Sequence, residues 1–157
     1  MIENQSREVK NLGELRIVAE NFLRGLTSQS EKQEALVVGL SGDLGSGKTA
    51  FVKCIAEVLG VPDVVTSPTF ILEKIYSIPT ESILGNQFTK MIHIDAYRLE
   101  AGYEMSPLGW DAILKDKHNL ILLEWPEKVS SAMPKDINML SFKYVDEGVR
   151  CITGLTN

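Results

Sequence analysis

The chain has only two cysteines, Cys54 and Cys151, with no C-x-x-C spacing and no histidine pair nearby. That scarcity argues against a disulfide framework and against a thiolate metal site, and points to reduced, partly buried thiols. No apolar run approaches the roughly 18 residues needed to cross a bilayer, and the stretch from Met1 to Glu8 lacks the apolar core of a secretory signal. The expectation is a cytoplasmic chain with no membrane partner. Basic runs are missing too. With 16 basic against 21 acidic residues the net charge is −5, a poor balance for gripping nucleic acid unaided, because neutralising backbone phosphates drives such binding. There is no internal repeat, low-complexity tract or linker, so residues 1–157 read as one domain. A domain of this size buries roughly two-thirds of its unfolded surface.

What is present is a phosphate-binding loop. Gly42, Asp43, Leu44, Gly45, Ser46, Gly47, Lys48 and Thr49 complete the pattern G-x-x-x-x-G-K-[ST]. Glycines let the backbone curl so that successive N–H groups face phosphate oxygens. Lys48 reaches the outer phosphates, and the Thr49 hydroxyl can ligate Mg²⁺. The first turn of the following helix adds unpaired N–H groups and the positive end of its dipole. All eight loop residues are therefore candidate nucleotide contacts.

The flanking patterns suit such a loop. Residues 11–26 carry Leu12, Leu15, Val18, Ala19, Phe22, Leu23 and Leu26 on one helical face, with Asn11 and Glu14 spaced as a capping box. Residues 35–40 form a short β-branched run, read as a buried strand. A helix is expected over 48–59, with Gly60 as its stop. Further strands are expected over 71–76, 91–95 and 120–123. The last is a continuous apolar run of the kind found in a central parallel strand. Short helices are expected within 100–118, and residues 137–145 and 149–155 flank Asp146-Glu147-Gly148 as a terminal antiparallel hairpin. The fold class is α/β, a three-layer sandwich with a mainly parallel sheet and antiparallel edge additions.

Two acids end apolar runs. Glu124 follows Leu120–Leu123, and Asp95 follows Met91-Ile92-His93-Ile94. One can support Mg²⁺ while the other orients the attacking water. His93 and Asp95 leave the same face of their strand, and Arg98 supplies positive charge to a phosphate or pairs with a carboxylate. Trp125 directly follows Glu124 and offers an aromatic wall. Pro68 restricts Ser67 to extended backbone, so the hydroxyls of Ser67 and Thr69 are candidates to sense the outermost phosphate.

The loop, Ser67-Pro68-Thr69-Phe70, His93-Ile94-Asp95-Ala96-Tyr97-Arg98-Leu99, Leu108-Gly109 and Glu124-Trp125-Pro126-Glu127 occur in the order and spacing of one family. The chain resembles the TsaE family of bacterial ATPases required for threonylcarbamoyladenosine modification of tRNA. The resemblance is firm over about residues 35–130 and looser out to Arg150. It implies binding and slow hydrolysis of ATP with Mg²⁺ in support of threonylcarbamoylation of adenosine 37 in tRNA. TsaB and TsaD would be the partners, and tRNA would be met only through their complex. It also implies that Lys48 contacts phosphates and acts in catalysis with Asp95, the acid needed for turnover. Thr49 and Glu124 would be the Mg²⁺ positions, Trp125 and Arg150 would stand beside the nucleotide, and Glu8 would lie in a segment that closes over the base. Two departures are visible: Ser46 stands where the family usually has Ala, and the stretch from Ser77 to Lys90 is longer than the family's.

The alternative is a small-molecule P-loop kinase. Kinases of that kind close an arginine-bearing lid on the transferring phosphate, and downstream of the loop this chain has only Arg98 and Arg150. A GTPase would need an N-K-x-D segment, which is missing.

Overall fold

A computed structural model describes residues 5–26, 32–66 and 72–155. Seven strands form one sheet in the order β1-β7-β6-β2-β5-β4-β3. They are β1 (Gln5–Val9), β2 (Leu36–Ser41), β3 (Glu73–Ser77), β4 (Lys90–Asp95), β5 (Asn119–Glu124), β6 (Asn138–Asp146) and β7 (Val149–Leu155). β2 runs parallel to both β5 and β6, and β4 parallel to β5, so the centre is parallel. Antiparallel additions close both sides: β3 on β4, β7 on β6, and β1 outermost on β7.

Both faces are covered, which is why the central strands read as near-continuous apolar runs. On one face α1 (Leu12–Leu26) and α2 (Lys48–Val58) pack through Phe22, Leu23, Phe51 and Ile55 against Val38, Leu40, Leu122 and Leu140. On the other, Val37, Ile92, Ile94, Ile121 and Leu123 meet Met105, Trp110 and Val129. Trp110 opens α3 (Trp110–Lys115), while Met105 and Val129 lie in 3₁₀ segments at Gly102–Leu108 and Pro126–Ala132. The three-layer α/β arrangement expected from the sequence is the one observed.

Two elements went unforeseen. β1 is polar except for the buried Val9, so it carries no alternating signal, and backbone pairing with β7 holds it. The 3₁₀ segment Pro126–Ala132 follows a sharp turn at Trp125. The capping pair at the start of α1 forms in altered form. Asn11 Oδ1 accepts the Glu14 N–H at 2.9 Å, whereas the Glu14 carboxylate accepts from Lys10 N–H at 2.8 Å.

The long connection between β3 and β4 is a compact series of turns. Leu84 and Phe88 are buried and anchor it, and Gly85 sits so close to the carbonyls of Pro79 and Thr80 that no side chain would fit there. Ser67, Pro68, Thr69 and Phe70, together with Ile71 at the expected start of β3, lie outside the described residues. Among the described residues no helix is long and apolar enough to cross a membrane, and Cys54 and Cys151 are both free.

Candidate functional site

The loop between β2 and α2 lies at the C-terminal ends of the parallel strands, where open α/β sheets place their ligand crevices. Gly47 has φ of 106°, left-handed backbone that favours glycine, and it directs the chain into α2 at Lys48. Gly42 packs against the Phe142 carbonyl and the Ser46 hydroxyl, where a Cβ would clash. The Ser46 hydroxyl is itself buried and, among the described residues, without a hydrogen-bond partner.

Lys48 is buried. Its ammonium donates to the carbonyls of Gly42 and Asp43, the second at 3.0 Å, and lies 4.2 Å from the centroid of the Trp125 ring. Burial pushes its pKa down, while the carboxylates of Glu124, Glu127, Asp95 and Asp43 push the other way. A cation held against carbonyls and an aromatic face in a poorly hydrated site is prepared to bind an anion strongly.

One helical position on, the Thr49 hydroxyl donates to Glu124 Oε1 at 2.9 Å. Glu124 is 2 % exposed, and its Oε2 lies 2.7 Å from Nε2 of the fully buried His93. Register pairs Asp95 directly with Glu124, so both carboxylates rise from the same sheet face toward the loop. Asp95 is half-buried and accepts the Tyr97 N–H at 3.0 Å. Burial raises its pKa, Glu124 adds to the rise, and the Tyr97 N–H opposes it.

Trp125 has φ of 62°, the only positive φ outside glycine among the described residues. Such backbone in a bulky residue is uncommon and marks strain held by its surroundings. Here its N–H donates to the Leu40 carbonyl at 3.0 Å, and its ring packs on Tyr97 at 5.1 Å. The turn lays the indole over Lys48. Arg150, on β7, donates from Nε to the Gly45 carbonyl at 3.0 Å and stacks 4.5 Å from the Tyr144 ring. It thereby ties the terminal hairpin to the loop.

These groups line one cleft of about 700 Å³. Of the residues expected at the site, Leu44 through Thr49, Asp95, Glu124, Trp125 and Arg150 line it, while Gly42 and Asp43 form its rear through their carbonyls to Lys48. His93 stands behind Glu124. Arg98 is exposed and does not line the cleft. Glu8 lies on exposed β1 outside it, and the wall on that side is built from Val9 to Leu12 and Leu15 instead. Val9 and Lys10 gave no signal, because β1 gave none, whereas Asn11, Leu12 and Leu15 were legible only as the start of a helix and not as part of a cleft wall. Tyr97 was also missed, although it stands two residues past Asp95.

An oxygen-only donor set of one hydroxyl and one carboxylate suits Mg²⁺. That ion is ordinarily held by one or two protein oxygens plus phosphate oxygens and waters. Among the described residues no group of three or more His, Cys, Asp or Glu forms an all-protein metal cage.

A family model described as threonylcarbamoyl adenosine biosynthesis protein TsaE matches residues 10–152. The tRNA threonylcarbamoyladenosine biosynthesis protein TsaE of Borreliella burgdorferi is 39% identical over 110 residues, 69% of this chain and 74% of that protein. The protein of the same name from Treponema pallidum is 33% identical over 77% of this chain and 82% of its own. The Bacillus subtilis protein of that name is 34% identical over 74% and 67%. The crystal structure of Bacillus subtilis YdiB superposes with a TM-score of 0.69 over 100% of this chain and 89% of that one. At 24% identity, this likeness concerns the fold.

Proposed function

The chain belongs to the TsaE family of tRNA threonylcarbamoyladenosine biosynthesis, and from that membership and the cleft we propose a Mg²⁺-dependent ATPase of low intrinsic turnover. In this reading residues 1–157 are one P-loop domain acting in the cytoplasm with TsaB and TsaD, and tRNA is met only through their complex. The observation that carries the reading is the meeting of Thr49 and Glu124 at 2.9 Å beside Asp95, all against the phosphate loop.

Residues of the loop from Gly42 to Thr49 bind the phosphates through backbone N–H groups, and Lys48 leaves the Gly42 and Asp43 carbonyls to meet phosphate oxygens. Thr49 and Glu124 hold Mg²⁺, which when bound neutralises charge on the phosphates. Asp95, adjacent and engaged among the described residues by the Tyr97 backbone N–H, orients a water and takes its proton as the water oxygen bonds to the γ-phosphorus. The bond from that phosphorus to the bridging oxygen breaks, leaving ADP and phosphate. A raised pKa makes Asp95 a better proton acceptor than an ordinary aspartate. Trp125 and Arg150 border the nucleotide.

Low turnover follows from the shortage of cationic groups aimed at the transferring phosphoryl. Arg98 is outside the cleft, and Arg150 is committed to carbonyls of Gly45, Asp146 and Val149. An arginine supplied in trans raises hydrolysis by about 10³ to 10⁵-fold in other phosphate-loop proteins. Partner-dependent stimulation is therefore expected. The test is phosphate release from ATP and GTP in parallel, with and without TsaB and TsaD.

A further inference from the structure

His93 occupies a position that apolar packing alone would fill with Leu or Phe. It is fully buried on β4, paired in register with Leu122 of β5 on one side and Lys74 of β3 on the other. Glu124 lies two residues beyond Leu122 on the same sheet face. That is the diagonal cross-strand position, within reach of a long or aromatic side chain. The imidazole spans this diagonal, with Nε2 at 2.7 Å from Glu124 Oε2. A carboxylate only accepts, so Nε2 carries the proton in this pair. The other nitrogen, Nδ1, is buried with no hydrogen-bond partner among the described residues. An unpartnered buried nitrogen lowers stability, so the histidine is a poor choice for packing and a good one for holding the carboxylate.

Glu124 needs holding. It is 2 % exposed, so bulk solvent does little to orient it. Its Oε1 takes the Thr49 hydroxyl at 2.9 Å, and Oε2 lies 3.3 Å from that hydroxyl, a weak second contact. Without His93, Oε2 would keep only this second contact, and rotation of the carboxylate away from Thr49 would meet little resistance. We infer that His93 is a positioning residue that fixes the Glu124 carboxylate against the Thr49 hydroxyl, and so sets the strength of divalent-cation binding at the phosphate loop. The inference rests on the reading of Thr49 and Glu124 as the Mg²⁺ positions. In metal sites generally, removing the partner that orients a ligand costs about 10 to 100-fold in metal affinity.

The test compares the affinity of a non-hydrolysable ATP analogue in EDTA and in Mg²⁺ by calorimetry, the ratio being the gain due to the cation. His93→Gln places an amide N–H at the reach of Nε2, His93→Asn falls one bond short, and His93→Leu has no donor. The expected result is unchanged Mg²⁺-free affinity in all three. The Mg²⁺ gain should fall about tenfold or more in His93→Leu and His93→Asn and be largely retained in His93→Gln. Thermal unfolding should place His93→Leu below the parent, because the buried Glu124 Oε2 loses its donor, with His93→Gln closer to the parent. If Leu does not fold there, the Gln and Asn pair decides, and equal gains in the two overturn the inference. A full gain in His93→Leu alongside a lost gain in Glu124→Ala overturns the role of His93 alone. A full gain in Glu124→Ala overturns the metal reading of Glu124 and the role of His93 with it.

Discussion

Asp95 and Glu124 are register partners at the ends of β4 and β5, yet they differ in what holds them. Glu124 is clamped from both sides by Thr49 and His93, whereas Asp95 takes one backbone N–H from Tyr97 and lines the open cleft. The same pair of strands thus presents one fixed carboxylate to the loop and one free to exchange a proton. Glu124→Ala should weaken Mg²⁺-dependent nucleotide binding, and Asp95→Ala should leave binding intact while slowing hydrolysis by about 10² to 10⁴-fold, the usual contribution of a positioned base. Affinities with and without Mg²⁺, set beside single-turnover rates, check the division. Loss of binding alone in both variants would refute it.

Lys48→Ala should remove tight nucleotide binding. Hydrogen bonds to charged groups are worth about 1.5–3 kcal/mol each, and Lys48 can make more than one to the phosphates. The affinity loss expected is at least about tenfold. Calorimetry on the folded variant reads it directly, and an unchanged affinity would contradict the role given to the loop lysine.

The indole of Trp125 covers the Lys48 ammonium, so drawing that ammonium onto a phosphate should change the ring's environment. The chain has two tryptophans, and the other, Trp110, is buried on the far face of the sheet with its N–H on the Ala132 carbonyl. A change in intrinsic fluorescence on nucleotide addition is expected in the parent and in Trp110→Phe, and should vanish in Trp125→Phe. Retention of the signal in Trp125→Phe would place its source elsewhere.

Asp95 also makes a pH-dependent contribution to stability. Its folded pKa lies above the ordinary aspartate range because burial disfavours the charged form. Between the ordinary value and the raised one the folded state binds more protons, so stability falls as pH rises through that window. Above it the destabilisation is constant. Asp95→Asn should therefore melt higher than the parent at about pH 7 in the absence of nucleotide, with the difference shrinking as pH approaches the ordinary value of about 3.9. Equal melting temperatures at neutral pH would show that the carboxylate is not disfavoured in the fold.

The legible parts of this molecule were those with a period or a fixed spacing. The helical faces of α1 and α2 and the apolar run of β5 repeat at intervals set by backbone geometry, and the loop pattern from Gly42 to Thr49 is local in sequence. Glu124 and Asp95 could be found because acids ending apolar strands are conspicuous. What could not be read came from contacts distant in sequence. β1 is a polar edge strand defined only by its pairing with β7, so Val9 had no signature, and Leu12 read as part of the apolar face of α1 although it is exposed and lines the cleft. Arg98 is close in sequence to Asp95, but the chain turns immediately after β4 and carries it out of the cleft. The contact between His93 and Glu124 joins residues 31 apart. It exists only once β4 and β5 are in register, and a lone histidine in a strand gives no warning of it.

The central claim, that hydrolysis in this cleft serves a partner complex, is tested most directly by steady-state phosphate release from ATP with and without TsaB and TsaD. The result expected is a slow basal rate that rises when both partners are present, with the rise abolished in Asp95→Ala. A fast rate independent of the partners, or efficient transfer of the γ-phosphate to a metabolite, would contradict the account and favour a small-molecule kinase.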